Sequence, residues 1–437
     1  MKIAVYGTGY VGLVLGTCLA ELGNDVICID IDKAKLAKLK KGIIPIYEPG
    51  LKELVDRNHK EKRIIFTNKS TPAVKNAEVI FIAVGTPSKK DGGVDLSFVE
   101  SVAKELGKTI ESYKVIVTKS TVPVGTGKKI KKIIQKELDK RKRDIKFDVA
   151  SNPEFLREGA AVKDFFNTDR TIIGVENDKA KEILYKLFKP VERTGKPIMF
   201  CDVKSAETIK YASNAYLATK ISFINEVSRL CEKTGADIKT VARGMGLDER
   251  IGSRFLQAGI GYGGSCFPKD VRGFINTAKE NKLNLKILKA VHEVNEEQKI
   301  SIIPKIKNLC GSSLKGKIIA IWGLAFKPRT DDMREASSIT IIDALQKQGA
   351  KVRAFDPVAI NNAKKILKKV DYGKTPYDVL RNADCLVVVT EWDEFRELDK
   401  EKIKFLMKQP NVVDGRNIWD PQEMKETGFR YVGVGRK

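Results

Sequence analysis

Short apolar runs alternate with longer amphipathic stretches along the first part of the chain. Ile3–Tyr6, Val26–Asp30, Val79–Val84, Val115–Thr118 and Phe147–Ser151 read as strands bounded by Gly, Pro or Asp. Strands separated by helical segments predict βαβ units, so residues 1–200 are expected to form a doubly wound, parallel-sheet α/β domain. From Ser205 to about Lys233 apolar residues recur every three or four positions without Pro or Gly, which predicts one long helix buried on more than one side, a spine or a dimer face. Further helical patterns follow Thr240 and Asn284, with a glycine-rich segment between them, giving a helical middle region over 201–305. The α/β pattern then restarts with strand Lys317–Trp322, a turn at Gly323, helix Ser337–Lys347, Gly349 and strand Lys351–Phe355 ending at Asp356. This repeats the opening order of strand, glycine turn, helix, Gly23, strand and Asp30, so 306–437 reads as a second Rossmann-like domain. Two such domains imply two nucleotide-type sites.

Composition supports more than one folding unit, since 437 residues exceed the usual domain size. Apolar residues at 42% and charged residues at 31% give an ordinary globular balance. The start runs directly into a strand and a glycine turn, and the longest apolar run, Ile318 to Phe326, is well below the roughly 18 residues of a membrane span. A cytoplasmic protein without a membrane partner is expected. The formal charge of +24 lies largely in helical lysine runs such as Lys128–Lys132 and Lys140–Arg143. No aromatic residues interleave with them, so they read as a solvated surface and no nucleic-acid partner is expected.

The residue inventory narrows the chemistry. Seven cysteines are scattered with no CxxC pair, so neither a disulfide framework nor a metal site is signalled. With only His59 and His292, Ser-His-Asp hydrolysis and a histidine base are improbable, and proton transfer falls to Lys, Asp, Glu, Thr or water.

Gly7-Thr8-Gly9-Tyr10-Val11-Gly12 follows a strand and opens a helix, the context in which this pattern binds a dinucleotide. Gly7 permits the turn, Gly9 lets backbone amides approach a pyrophosphate, and Gly12 allows close helix–strand packing. Asp30, at the end of the second strand, is placed to accept from a ribose hydroxyl and would repel a 2′-phosphate, which favours NAD over NADP. Lys35 lies one turn further on, near enough to reach an adenosine. The strand ends Gly85-Thr86-Pro87 and Lys119-Ser120-Thr121 carry glycine, proline and hydroxyls where a parallel sheet presents its ligand edge.

Glu154 and Glu158 follow the next strand end and would share a face if that segment is helical. Lys210 and Asn214, also four apart on the long helix, could stabilise an oxyanion together. In Gly261-Tyr262-Gly263-Gly264-Ser265-Cys266-Phe267-Pro268-Lys269-Asp270 the glycines are expected to bring backbone close to a ligand. A cation or helix start near the Cys266 thiol would make it a nucleophile.

These motifs, with Tyr47-Glu48-Pro49-Gly50, Phe326–Glu335, Thr390-Glu391-Trp392 and Asp414-Gly415-Arg416, resemble the UDP-glucose 6-dehydrogenase family within the wider UDP-glucose/GDP-mannose dehydrogenase group. The resemblance spans essentially the whole chain. It implies a four-electron oxidation of UDP-glucose to UDP-glucuronate with two NAD reduced in succession. Cys266 would attack the intermediate aldehyde, giving a thiohemiacetal and then a thioester. Glu154 is the candidate to activate the hydrolytic water, and the first proton leaves through Lys210 or through a water held by Asp270 and Thr121. The resemblance further implies that Glu154, Phe155, Leu156, Lys210 and Asn214 face the substrate and that Phe326, Lys327 and Arg416 grip its UDP end. Gln257 to Gly263, with Gly259 and Tyr262, would form a loop over it, and Arg250 would reach in from a second subunit of a homodimer or higher homo-oligomer. Glu158 and Arg334 fall on the cofactor side. A sister enzyme using UDP-N-acetylmannosamine, UDP-N-acetylglucosamine or GDP-mannose is the alternative.

Overall fold

The computed structural model describes residues 1–89, 91–192 and 195–436. The chain divides into two compact units, Met1–Ser213 with Lys279–Asn281, and Asn214–Ala278 with the chain from Lys282 onward. Each is built on one sheet.

The first sheet has eight strands, β1 (Lys2–Tyr6), β2 (Asp25–Ile29), β3 (Ile64–Thr67), β4 (Val79–Ile82), β5 (Lys114–Thr118), β6 (Phe147–Ser151), β7 (Thr171–Gly174) and β8 (Ile198–Cys201), in the order β3-β2-β1-β4-β5-β6-β7-β8. β1 to β6 pair in parallel, whereas β7 meets β6 antiparallel at Ser151↔Gly174 and then pairs in parallel with β8. The expected parallel sheet therefore carries an outer pair running the other way. β4 is buried at every position because apolar cores lie on both faces of the sheet. The order reverses direction between β1 and β4, and this switch point is where the Gly7 turn lies.

The second sheet comprises β9 (Ile318–Trp322), β10 (Lys351–Phe355), β11 (Val370–Tyr372), β12 (Cys385–Val388), β13 (Asn411–Asp414) and β14 (Arg430–Gly433), ordered β11-β10-β9-β12-β13-β14 with every pairing parallel. It repeats the 3-2-1-4-5-6 order of the first six strands, as the two-Rossmann reading requires. Trp322 is fully buried between the rings of Phe395 at 5.0 Å and Trp419 at 6.0 Å.

The long helix is observed over Val203–Thr234. Residues 152–157 are not helical, and the helix beyond them begins only at Ala161. Glu154 and Glu158 therefore do not share a helical face. Pro153 disfavours helix at Asn152, and the Glu154 carboxylate accepts from the Leu156 backbone two residues ahead, a local bond that competes with helical geometry. Among the described residues no helix is long and apolar enough to cross a membrane.

Candidate active site

In the first unit the Gly7 turn has the geometry a pyrophosphate requires. Gly7 sits at φ +98°, and a Cβ there would lie 2.6 Å from the Ala83 carbonyl oxygen. At Gly12 a Cβ would lie 2.0 Å from the Gly7 carbonyl oxygen, so only glycine lets the helix start this close to the strand. Gly9, the N-cap of helix Tyr10–Glu21, faces open space, and no side chain caps the helix. The first-turn amides are thus available to an anion.

Asp30 closes the turn, accepting from Thr8 N at 2.8 Å, Thr8 Oγ1 at 2.6 Å, Asp32 N at 3.0 Å and Lys35 Nζ at 3.0 Å. Burial raises its pKa, but the Thr8 hydroxyl and the other donors outweigh this and hold it down to about 2. A fixed negative charge here suits a ribose diol and opposes a 2′-phosphate. Lys35 is bound to that carboxylate. These residues fit NAD.

At the neighbouring strand ends, the Ser120 hydroxyl donates to Val84 O at 2.7 Å, and Thr86 Oγ1 donates to Thr121 O at 3.0 Å. Both hydroxyls thus tie β4 to β5, and Gly85 beside them faces open space. The Tyr10 hydroxyl accepts from Gly159 N at 2.7 Å and pairs with Glu48, whose carboxylate also accepts from Gly159 N and Ala161 N at 2.7 Å each. The Tyr47-Glu48 motif therefore braces the cofactor helix against the segment carrying Glu154, with Glu158 in the turn next to Gly159.

Glu154 is buried, and its Oε2 lies 3.8 Å from Lys119 Nζ. Phe155 lies beneath two cations, with Arg170 Cζ 4.0 Å and Lys210 Nζ 5.1 Å from its ring centre. Leu156, with Lys119, Glu154 and Phe155, lines the same cleft.

In the second unit Cys266 immediately precedes helix Phe267–Glu280 and is exposed, with Ser265 Oγ 3.5 Å from its sulfur. A thiol at a helix N-terminus is placed where the dipole favours thiolate. By contrast, burial pushes the Cys28 thiol up to about 12. One turn past Cys266, fully buried Asp270 accepts from Asn214 Nδ2 at 2.6 Å and from Lys269 Nζ at 2.5 Å. The Lys269 cation of the motif is thus tied to the Asp270 carboxylate.

The glycines before Cys266 are filled by protein rather than left open. A Cβ would meet Asn295 Oδ1 at 2.7 Å from Gly261, Glu335 O at 2.2 Å from Gly263 and the Phe326 ring at 2.7 Å from Gly264. The loop is held by buried amides that the sequence pattern did not reveal. Asn295 exchanges two hydrogen bonds with the Tyr262 backbone, while Asn225 and Gln298 bind the Gly259 N–H and carbonyl. Arg416 joins them, donating to Gly261 O at 3.1 Å and Val389 O at 2.8 Å.

Of the remaining candidates, Arg334 touches the loop through its carbonyl, which accepts from Gly264 N at 2.9 Å. Lys327 Nζ lies 5.5 Å from the Phe326 ring centre, Gln257 is exposed, and Arg250 and Arg334 pair with Asp248 and Asp332 at 2.6 Å each.

The chain matches the models of the UDP-glucose/GDP-mannose dehydrogenase family over residues 1–192 (NAD binding domain), 204–297 (central domain) and 320–421 (UDP binding domain). It is 49% identical over 436 residues to UDP-glucose 6-dehydrogenase TuaD of Bacillus subtilis, covering 100% of this chain and 93% of that one. It is 46% identical over 439 residues to a UDP-glucose 6-dehydrogenase of Rhizobium meliloti, covering 100% of both. A solved UDP-glucose dehydrogenase from the hyperthermophilic archaeon Pyrobaculum islandicum matches with a TM-score of 0.91 at 37% identity, covering 100% of this chain and 98% of that one. With its NAD-binding turn on the first sheet and family domains along its length, the chain belongs to the UDP-glucose/GDP-mannose dehydrogenase family and is an NAD-dependent oxidoreductase.

Proposed function

We propose that the chain oxidises the primary alcohol of UDP-glucose to the carboxylate of UDP-glucuronate. Relatives matched along the whole chain, with nearly half the same sequence, bear that activity in their names. One observation carries the covalent part of the reading. Of seven cysteines, Cys266 alone is exposed, and it stands at a helix start one turn from the Asp270 cluster.

Each oxidation removes a hydride from the sugar carbon and a proton from its oxygen, and NAD, when bound, supplies the hydride acceptor, two being reduced per sugar. Lys210 takes the first proton. A water held by Asp270 and Thr121 is the alternative acceptor, since each Asp270 oxygen accepts one hydrogen bond and has room for another. The Cys266 thiolate adds to the aldehyde carbon, forming a C–S bond and a thiohemiacetal that cannot diffuse away. Losing a second hydride and proton, this becomes a thioester. Asn214 and Lys210 stabilise the oxyanions. Glu154 takes a proton from water as it attacks the thioester carbonyl, the C–S bond breaks, and thiolate and acid are released.

Phe326, Lys327 and Arg416, with the Gln257–Gly263 loop, are assigned to the UDP end, and Glu158 and Arg334 to the cofactor. The three matched segments support the division 1–200, 201–305 and 306–437. A homodimer is supported by Tyr216, Phe223 and Leu230, which stand 63%, 50% and 62% exposed at seven-residue intervals along the long helix. Arg250, exposed on its own protomer, would serve the partner's substrate.

Purified protein should reduce NAD with UDP-glucose and not with UDP-N-acetylmannosamine, UDP-N-acetylglucosamine or GDP-mannose. Cys266→Ser should bind NAD normally and form no acid; acid formation at the wild-type rate would overturn the covalent reading.

A further inference from the structure

Lys119 follows β5 with its side chain only 9% exposed, a costly place for an ammonium unless something holds it. Nζ donates to Asn152 Oδ1 at 3.0 Å and lies 3.8 Å from Glu154 Oε2. Asn152 is itself 1% exposed, and its amide nitrogen donates to Ile172 O at 2.8 Å, so its oxygen is fixed toward the ammonium. Of the two Glu154 oxygens, Oε1 accepts from the Leu156 backbone. Oε2 is buried and makes no hydrogen bond among the described residues. An acceptor left in this condition beside a buried cation, on the wall of a cleft, is arranged for a ligand proton.

We propose that Lys119 is a positioning residue that holds the Glu154 carboxylate by its charge and directs its unbonded oxygen at the water of the hydrolytic step. The inference rests on the reading of Glu154 as the group that activates that water. The other charges around Glu154 are Lys210 and Arg170, both over the Phe155 ring, and Asp164, which is occupied by Arg157 at 2.5 Å. Asp169 lies beside Arg170. Lys119 is the cation that faces Oε2 directly. Burial pushes its ammonium below the ordinary lysine value, Glu154 opposes that, and Lys210 adds to it. Two opposite charges are thus buried together, and removing one member leaves the other unpaired.

The test compares Lys119→Met, Lys119→Arg and Glu154→Gln in the full-length enzyme. Its readouts are the pre-steady-state NADH burst, steady-state turnover against pH, and the mass of acid-quenched protein. In Lys119→Met the burst should persist while steady-state turnover falls on the order of ten- to a hundredfold. The sugar ester should accumulate on the protein, and the acidic limb of the turnover profile should move up by about one to three pH units. Lys119→Arg should return that limb to within about half a unit of wild type, an outcome that loss of packing alone would not produce. If Lys119→Met does not fold, the limb of Lys119→Arg decides, and a shift of a full unit overturns the inference. Ester accumulation in Glu154→Gln without ester or limb shift in Lys119→Met overturns the inference and leaves the reading of Glu154 intact. Ester in neither variant overturns both.

Discussion

In both units the first strand of the sheet runs into a glycine at positive φ, Gly7 at +98° and Gly323 at +89°, where a Cβ would strike the neighbouring strand end at Ala83 or Thr390. Beyond that glycine the two turns differ. In the first, Gly9 faces open space and the helix lacks a side-chain cap, so backbone amides remain for a phosphate. In the second, Ala325 is buried, and the Leu324 and Ala325 amides donate to Asp356 at 2.7 and 3.1 Å. Asp356 also takes Val358 N, Ala359 N and Trp392 Nε1, and it is 1% exposed. The same topology thus carries a partly exposed acid beside an open turn in one unit and an acid that serves as an internal staple in the other. A repeated strand–turn–strand–Asp pattern predicts a repeated fold, while the acid that ends it serves differently in each unit.

Replacing each aspartate should separate these roles, with the larger stability effect in the second unit. Asp356→Ala strands five donors, four of them buried, and should cost about 3–5 kcal/mol in urea unfolding while leaving the preference for NAD over NADP unchanged. Asp30→Ala should cost about 1–2 kcal/mol, because water can replace its partners, but should erode that preference on the order of tenfold or more in kcat/KM. Equal stability losses, or a preference altered by the Asp356 variant, would erase the distinction.

The comparison also sharpens with pH. The Asp30 carboxyl is held at about 2 against an ordinary 3.8, so its contribution is complete above pH 3.8 and is lost as pH falls through 2. Acid unfolding of the wild type should therefore steepen across that window, and Asp30→Asn should flatten it. The smallest expected effect is that of Lys35→Met, which removes a partly exposed ion pair and should change stability by less than about 1 kcal/mol.

Where a feature was written in local spacing, the sequence was enough. The predicted strand Lys351–Phe355 and helix Ser337–Lys347 are observed with those limits, and the long helix extends the predicted one by a few residues. β3, β7 and β8 in the first sheet and β11 to β14 in the second do not stand out in the sequence, because strands of three or four residues carry little periodicity, and Ile65 in β3 is half exposed. At the site, the sequence pointed to the Gly7 turn, Asp30 and the Cys266 helix start. It did not reveal Asn225, Asn295 and Gln298, whose partners lie 33 to 39 residues away. Lys119 reads as part of a strand-end loop, since its burial depends on Asn152 and Glu154 from the segment after the next strand. Nor did the spelling of the glycine run reveal that a Cβ at 261, 263 or 264 would meet Asn295, Glu335 or Phe326.

The central claim is that one active site performs two successive oxidations on a sugar held by Cys266. The most direct measurement is the number of NADH formed per UDP-glucose consumed at completion. Two NADH per sugar, with UDP-glucuronate as product, is the predicted result. One NADH per sugar, with aldehyde released, would contradict it.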